Sequence, residues 1–170
     1  GVTGLMHSAG VLADALLLEQ TQAGLHRVWQ PKATAAWVLH STTLEDMAEL
    51  TICALFSSAA ALLGNIGQAN YAAANACLDA HAILRRACGT AACSLQWPLI
   101  GGAGMGAAAF AGMGERQITI AGLAGISLEE YVACLRSQLA TGIGVACSVQ
   151  VVHHSEVHVL LQDLADPSQP

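Results

Sequence analysis

A serine pair, Ser57-Ser58, a tyrosine, Tyr71, and an asparagine, Asn75, fall within one short stretch of this chain. A hydroxyl can donate a hydrogen bond to an oxygen on which charge develops, and a phenol can give that oxygen a proton. A free tyrosine has a pKa of about 10, and a cation brought beside it would favour its phenolate, bringing it toward useful proton exchange. The set suits acid–base chemistry at a polar oxygen.

The surrounding sequence says how such groups could meet. Thr51-Ile52-Cys53-Ala54-Leu55-Phe56 is an unbroken apolar run, the pattern of a strand buried in a parallel sheet. Ligands of open α/β sheets gather beyond the carboxyl ends of such strands, so Ser57 and Ser58 are expected at a mouth. A helix predicted from Gln68 to Arg86 carries Tyr71 and Asn75 four residues apart, on one face. Thr21 is a predicted cap for a helix running from Gln22 to about Thr42, in which Pro31 predicts a bend beside Lys32.

The remaining elements alternate. Leu5 to Ser8 reads as a short strand entering the Ala9-Gly10 turn, and Asp14 to Leu18 as a loop and helix start. Gly89 stops the Tyr71 helix, and Ala91 to Gln96 supplies the next strand. Glycine and alanine dominate from Trp97 to Gly125 with little periodicity, which suits a mobile lid. Ser127-x-x-Glu130 is a capping box opening a helix that ends near Gly142, and Val145 to Val152 form a last strand. This order implies parallel strands joined by right-handed crossovers.

Composition narrows the function classes. Of 170 residues, 54% are hydrophobic and 11% charged, so most of the chain must be buried. A net charge of -6 with 6 Lys and Arg residues leaves no stripe that could track nucleic-acid phosphates. The charge-free runs from Leu50 to Leu78 and from Ala87 to Gly114 are interrupted by glycines, serines and amides, and no membrane span is expected. Cys53, Cys77, Cys88, Cys93, Cys134 and Cys147 form no Cys-x-x-Cys pair and read as core thiols of a reducing compartment. His153, His154 and His158 read as surface histidines, and no metal site is assigned.

Taken in order, these segments resemble the ketoreductase domain of modular polyketide synthases, a branch of the short-chain dehydrogenase/reductase family. The resemblance rests on Leu55-Phe56-Ser57-Ser58 with Gly64-Asn65-Ile66-Gly67-Gln68-Ala69-Asn70-Tyr71-Ala72-Ala73-Ala74-Asn75. It extends to Gly4-Leu5-Met6-His7-Ser8-Ala9-Gly10-Val11-Leu12, to Val28-Trp29-Gln30-Pro31-Lys32, and to Ser94-Leu95-Gln96-Trp97 with the glycine-rich stretch from Gly101 to Gly106. In most short-chain dehydrogenases a lysine stands four residues after the tyrosine. Here Asn75 holds that place and Lys32 lies upstream, the exchange that is similar to polyketide reductases.

The resemblance implies an α/β fold: a Rossmann-like doubly wound parallel sheet, incomplete because no glycine-rich strand-to-helix turn that would cradle a dinucleotide is present. Residues 1–152 are expected to be the C-terminal part of a ketoreductase domain, and residues 153–170 a terminal segment opening an interdomain linker. It further implies an NADPH-dependent reduction of a β-ketoacyl thioester carried by an acyl carrier domain, in the cytoplasm. The missing N-terminal half of the domain is an implied partner.

The catalytic set implied is Lys32, Ser58, Tyr71 and Asn75. Tyr71 would act as general acid, Ser58 as oxyanion donor by its spacing to Tyr71, Asn75 as anchor of a water or hydroxyl relay, and Lys32 as the group reaching the tyrosine oxygen and the nicotinamide ribose. Ala9, Gly10, Lys32, Tyr71, Trp97 and Pro98 are the implied cofactor contacts. Leu63, Gln68, Gly104 and Met105 are the implied substrate contacts. Leu63 takes the place of a tryptophan that goes with one alcohol configuration, which leans toward the D-hydroxy product. Pro98 departs from the family's glycine and removes an amide. Two other readings compete: an inactive reductase half that props up neighbouring domains, and a stand-alone dehydrogenase of a small alcohol.

Overall fold

The computed structural model describes residues 2–43, 50–101, 125–140 and 149–151. Four strands, β1 (Gly4–His7), β2 (Ile52–Ser58), β3 (Cys93–Trp97) and β4 (Val149–Val151), form one sheet in the order β1-β2-β3-β4 with every pair parallel. Sequential order follows from the intervening helices, because a parallel neighbour can be reached only by a long crossover.

The helices cover both faces of the sheet, and the strand sequences show why. In β2, Cys53 and Leu55 join Ala36, Leu78, Ala82 and Ala92 in one buried cluster, while Ala54 joins Cys93, Leu95, Trp97 and Ile126 in another. Side chains alternate along a strand, so a run apolar at every position feeds two cores. The first cluster is closed by α2 (Ala35–Thr43) and α4 (Ala69–Ala87), and the second by Tyr131, Cys134, Leu135 and Leu139 of α5 (Leu128–Ala140).

Several expected boundaries hold. Thr21 caps α1 (Gln22–Trp29), its hydroxyl accepting from Gly24 N at 3.0 Å. The Ser127–Glu130 box closes in both directions, with Ser127 N donating to Glu130 Oε2 at 2.8 Å and Glu130 N donating to Ser127 Oγ at 3.2 Å. Beyond α4, Gly89 takes a φ of 78° and ends the helix as expected.

Three expectations are corrected. The second strand does not stop at Phe56: Ser57 and Ser58 are its last residues and pair in register with Gln96 and Trp97. Trp97 does not open a lid. It ends β3, 5% exposed, with its indole packed against Phe56 and Tyr131 at centroid distances of 5.9 and 4.6 Å. The Pro31 bend is a change of helix type, with one wide π turn (Gln30–Thr34) set between α1 and α2. Proline lacks an N–H and its ring collides with the carbonyl four residues back, and widening the turn relieves both.

Residues 102–124, which hold most of the expected lid together with Gly104 and Met105, lie outside the described residues. So do Cys147, His153, His154, His158, the end of the last helix at Gly142 and the segment 153–170. Among the described residues no helix is long and apolar enough to cross a membrane, and no group of three or more His, Cys, Asp or Glu side chains is placed to hold a metal.

The turn that leads into α4 is closed by Gly67, whose φ is 77° and whose carbonyl accepts from Ala15 N at 2.9 Å. A side chain there forces a left-handed conformation on an L-residue. Gly67→Ala is expected to lower stability by about 1–2 kcal/mol, read as a drop in the denaturant midpoint at constant m-value.

Candidate active site

Ser57 and Ser58 differ because strand alternation separates them. Ser57 is 4% exposed and its hydroxyl donates to the backbone carbonyl of Asn75 at 3.3 Å, which ties β2 to α4. Ser58 is half-buried at the strand's end, and its Oγ accepts from Ala60 N at 3.2 Å. That bond uses a lone pair and leaves the hydroxyl proton available. The structure thus supplies a physical reason to prefer Ser58, where the sequence offered only spacing.

Tyr71 and Asn75 lie one turn apart on α4, as expected. Tyr71 is half-buried and Asn75 wholly so. Asn75 Nδ2 donates back to the Tyr71 backbone carbonyl at 2.8 Å, while its Oδ1 is buried with no hydrogen-bond partner among the described residues. An unpartnered buried acceptor is costly and suits a group that binds a water or a hydroxyl.

Lys32 is brought in by the π turn. It is 2% exposed, its Nζ donates to the Phe56 carbonyl at 2.9 Å, and the same atom stands 5.4 Å from the centroid of the Tyr71 ring. Desolvation lowers its pKa from 10.5 to about 8, opposed by the Asp79 carboxylate. Lys32, Ser58, Tyr71 and Asn75 are therefore brought together from three elements.

One expectation about this set is overturned. Tyr71 is shifted upward, first by burial, with the Asp14 charge adding a smaller push. Asn75 and Ser58 pull it down by hydrogen bonding, though neither closes a bond of full geometry to the phenol. Lys32 approaches the ring face and is held by Phe56, so it does not offset the lost solvation. Tyr71 is held as a phenol, which is the protonation state a proton donor needs.

The other expected contacts scatter. Ala9 is exposed and Gly10 half-buried just past the carboxyl end of β1, where a cofactor of an open sheet would lie. Trp97 has its indole in the far core and its carbonyl accepts from Ala59 N at 2.9 Å, so its side chain is not placed to meet a cofactor, and Pro98 follows it half-buried. Leu63 is the half-buried last residue of α3 (Ala60–Leu63). Gln68 spends both ends of its amide, donating to Asp14 Oδ2 at 3.0 Å and accepting from Asn65 Nδ2 at 3.0 Å. An open groove of about 680 Å³, lined by His7, Ala9, His26, Trp29 and Val38 among others, lies along α1 and α2. None of the four convergent residues lines it, so its size is no guide to the chemistry.

Three residues that the sequence did not single out hold the site. Asn70, 3% exposed, donates to Ala13 O at 2.7 Å and accepts from Tyr71 N at 2.7 Å, fixing the start of α4. Buried His7 holds the Lys32 carbonyl from Nε2 at 3.0 Å. Asp79, one turn beyond Asn75, accepts from Ser94 Oγ at 2.6 Å and Gln96 Nε2 at 2.7 Å. The i, i+4, i+8 ladder Tyr71, Asn75, Asp79 was the available signal.

A family model for the KR domain matches residues 1–102, three-fifths of the chain, and spans the whole of this cluster. The chain belongs to the ketoreductase domain family. It is 45% identical over 139 residues to the spectinabilin polyketide synthase system protein NorB of Streptomyces orinoci, covering 82% of this ketoreductase chain and 6% of that protein. It is 40% identical over 141 residues to erythronolide synthase EryA2 of Saccharopolyspora erythraea, covering 83% of this chain and 4% of that one. Among solved structures, the first ketoreductase of the tylosin PKS matches with a TM-score of 0.75 at 36% identity, covering 89% of this chain and 31% of that chain. An A1-type ketoreductase matches with a TM-score of 0.80 at 31% identity, covering 98% and 34%. The ketoreductase chain thus spans about a third of the solved ketoreductases, and its parallel sheet is a partial Rossmann-like fold of the short-chain dehydrogenase type.

Proposed function

We propose that this chain is the C-terminal part of a ketoreductase domain that reduces a β-ketoacyl thioester, borne by an acyl carrier domain of a polyketide synthase, with NADPH as reductant. The observation that carries the reading is the meeting of the Lys32 ammonium, the Tyr71 phenol, the free Ser58 hydroxyl proton and the unpartnered Asn75 Oδ1 at the carboxyl end of β2.

Each residue then has a task set by its surroundings. Ser58 donates its uncommitted proton to the substrate carbonyl oxygen, where negative charge grows during reduction. Tyr71, kept protonated by burial, transfers its proton to that oxygen. Asn75 Oδ1 orders a water or hydroxyl that returns a proton to the phenol. Lys32, mostly ammonium at neutral pH with a pKa of about 8, holds the face of the Tyr71 ring and supplies positive charge beside the nascent alkoxide. NADPH supplies the hydride when bound. The donor set fits such a cofactor: Ala9 is exposed and Gly10 half-buried at the carboxyl end of β1, and the Lys32 ammonium, with one donor on the Phe56 carbonyl, has further donors for a ribose hydroxyl. Leu63, Gln68, Gly104 and Met105 are assigned to the substrate side, with Leu63 leaning to the D-hydroxy product. The domain would extend to residue 152, with residues 153–170 leading into a linker.

The test is turnover of a β-ketoacyl thioester with NADPH by the complete domain, and product stereochemistry decides the Leu63 assignment. For the 170-residue segment alone, titration with NADPH is expected to show no binding, because no pyrophosphate-cradling turn is among its residues. Micromolar affinity in that titration would refute the partial-domain reading.

A further inference from the structure

The helix that carries Tyr71 and Asn75 also carries a buried carboxylate for which the proposed chemistry has no use. Asp79 is 9% exposed, and both of its oxygens are engaged by β3: Ser94 Oγ at 2.6 Å on Oδ1 and Gln96 Nε2 at 2.7 Å on Oδ2. Ser94 and Gln96 are 0% and 5% exposed, so the clamp is shielded from bulk solvent. Gln96 pairs in register with Ser57, which in turn bonds the Asn75 carbonyl. α4 also packs on the π turn that presents Lys32. A closed circuit therefore runs from Asp79 through Gln96 and β2 back to Asn75.

Burying a carboxylate is costly, and polar residues that could have been apolar would have packed α4 on β3 as firmly. A charge retained at such a place acts on other charges. One such charge is the buried Lys32 ammonium: its Nζ bonds the Phe56 carbonyl, and Phe56 pairs with Leu95, the residue between Ser94 and Gln96, so the two charges are held on adjacent strands.

We propose that Asp79 is a positioning residue of the ketoreductase site, an internal counter-charge that keeps Lys32 as an ammonium while its clamp to Ser94 and Gln96 fixes α4, and with it Tyr71 and Asn75, on the sheet. The inference rests on the ketoreductase reading and adds to it a residue that touches neither substrate nor cofactor. Among the described residues, the titratable groups that act on or adjoin Lys32 are His7 from β1 and Tyr71 and Asp79 from α4. Burial lowers His7 and raises Tyr71, so Lys32 is the group among them that titrates near pH 8. Loss of its proton sets the alkaline limb of the reduction rate.

The experiment is the pH profile of kcat for thioester reduction by the complete domain, with thermal midpoints measured in parallel. Asp79→Asn keeps the shape and can keep both hydrogen bonds if the Gln96 amide turns over, while removing the charge. Its alkaline limb is expected to move to lower pH by about one unit. Ser94→Ala removes one bond and leaves the carboxylate less shared, so its limb is expected above the wild-type position. A folded Asp79→Asn domain with an unmoved limb, or a Ser94→Ala limb at or below the wild-type position, overturns the proposal. Should Asp79→Asn fail to fold, the Ser94→Ala limb still decides. If the wild type turns over and Tyr71→Phe does not, the ketoreductase reading survives whichever way the limbs move.

Discussion

Replacing Tyr71 with Phe in the complete domain is expected to cut ketoreduction by on the order of a thousandfold or more while leaving NADPH affinity nearly unchanged. Loss of the hydroxyl removes the proton donor and little else, since the ring keeps its place on α4 and its contact with Lys32. The phenol oxygen makes no hydrogen bond of full geometry among the described residues, so the protein gives up no structural bond in the exchange. Catalytic hydrogen bonds often tighten only when substrate arrives, which fits the loose approach of Ser58 and Asn75. Stopped-flow measurement of the single turnover separates chemistry from release. A variant that reduces the thioester at the wild-type rate would remove Tyr71 from the mechanism.

The second large effect runs in opposite directions on activity and on stability. Lys32→Met should lower kcat on the order of a hundredfold, through loss of the cation beside the reacting oxygen. It should also make the domain more stable. Holding Lys32 with a pKa of about 8 against an ordinary 10.5 costs on the order of 3 kcal/mol while both states are protonated. Methionine removes that cost and forfeits the bond to the Phe56 carbonyl, a loss of about 1 kcal/mol, leaving a net gain of about 1–2 kcal/mol. A group whose folded pKa is depressed in this way destabilises below about pH 8 and ceases to do so as pH rises toward 10.5. The stability difference between variant and wild type is therefore expected at neutral pH and to vanish toward pH 10. Denaturant titrations at pH 7 and pH 10 check it, and a variant weaker than the wild type at pH 7 would contradict this account of Lys32.

Periodicity made much of the fold legible, where it was strong. The apolar run ending at Phe56 could only be a strand covered on both faces, and the capping residues Thr21 and Ser127 announced their helices through short-range hydrogen bonds that need no tertiary context. Trp97 misled because it stands at the start of a glycine-rich stretch, and its burial depends on Tyr131, far away in sequence. Pro31 told of a bend but not its kind, since a kink and a π turn relieve the same clash and packing against His7 and α4 selects between them.

The same division runs through the site. Residue type and spacing put Ser57, Ser58, Tyr71 and Asn75 in one strand-and-helix unit, because groups on one strand end and one helix face obey local geometry, while Lys32 and the choice of Ser58 came only through the resemblance to polyketide ketoreductases. The fold alone decided how those groups behave. It turned Ser57 inward and Ser58 to the mouth, recruited Asn70, His7 and Asp79 as supports, and reversed the expected shift of Tyr71. The physical reason is that proton affinity depends on what surrounds a group. Solvent exclusion from a phenol and the reach of a buried charge are sums over contacts made by distant parts of the chain, and no spacing along it records them.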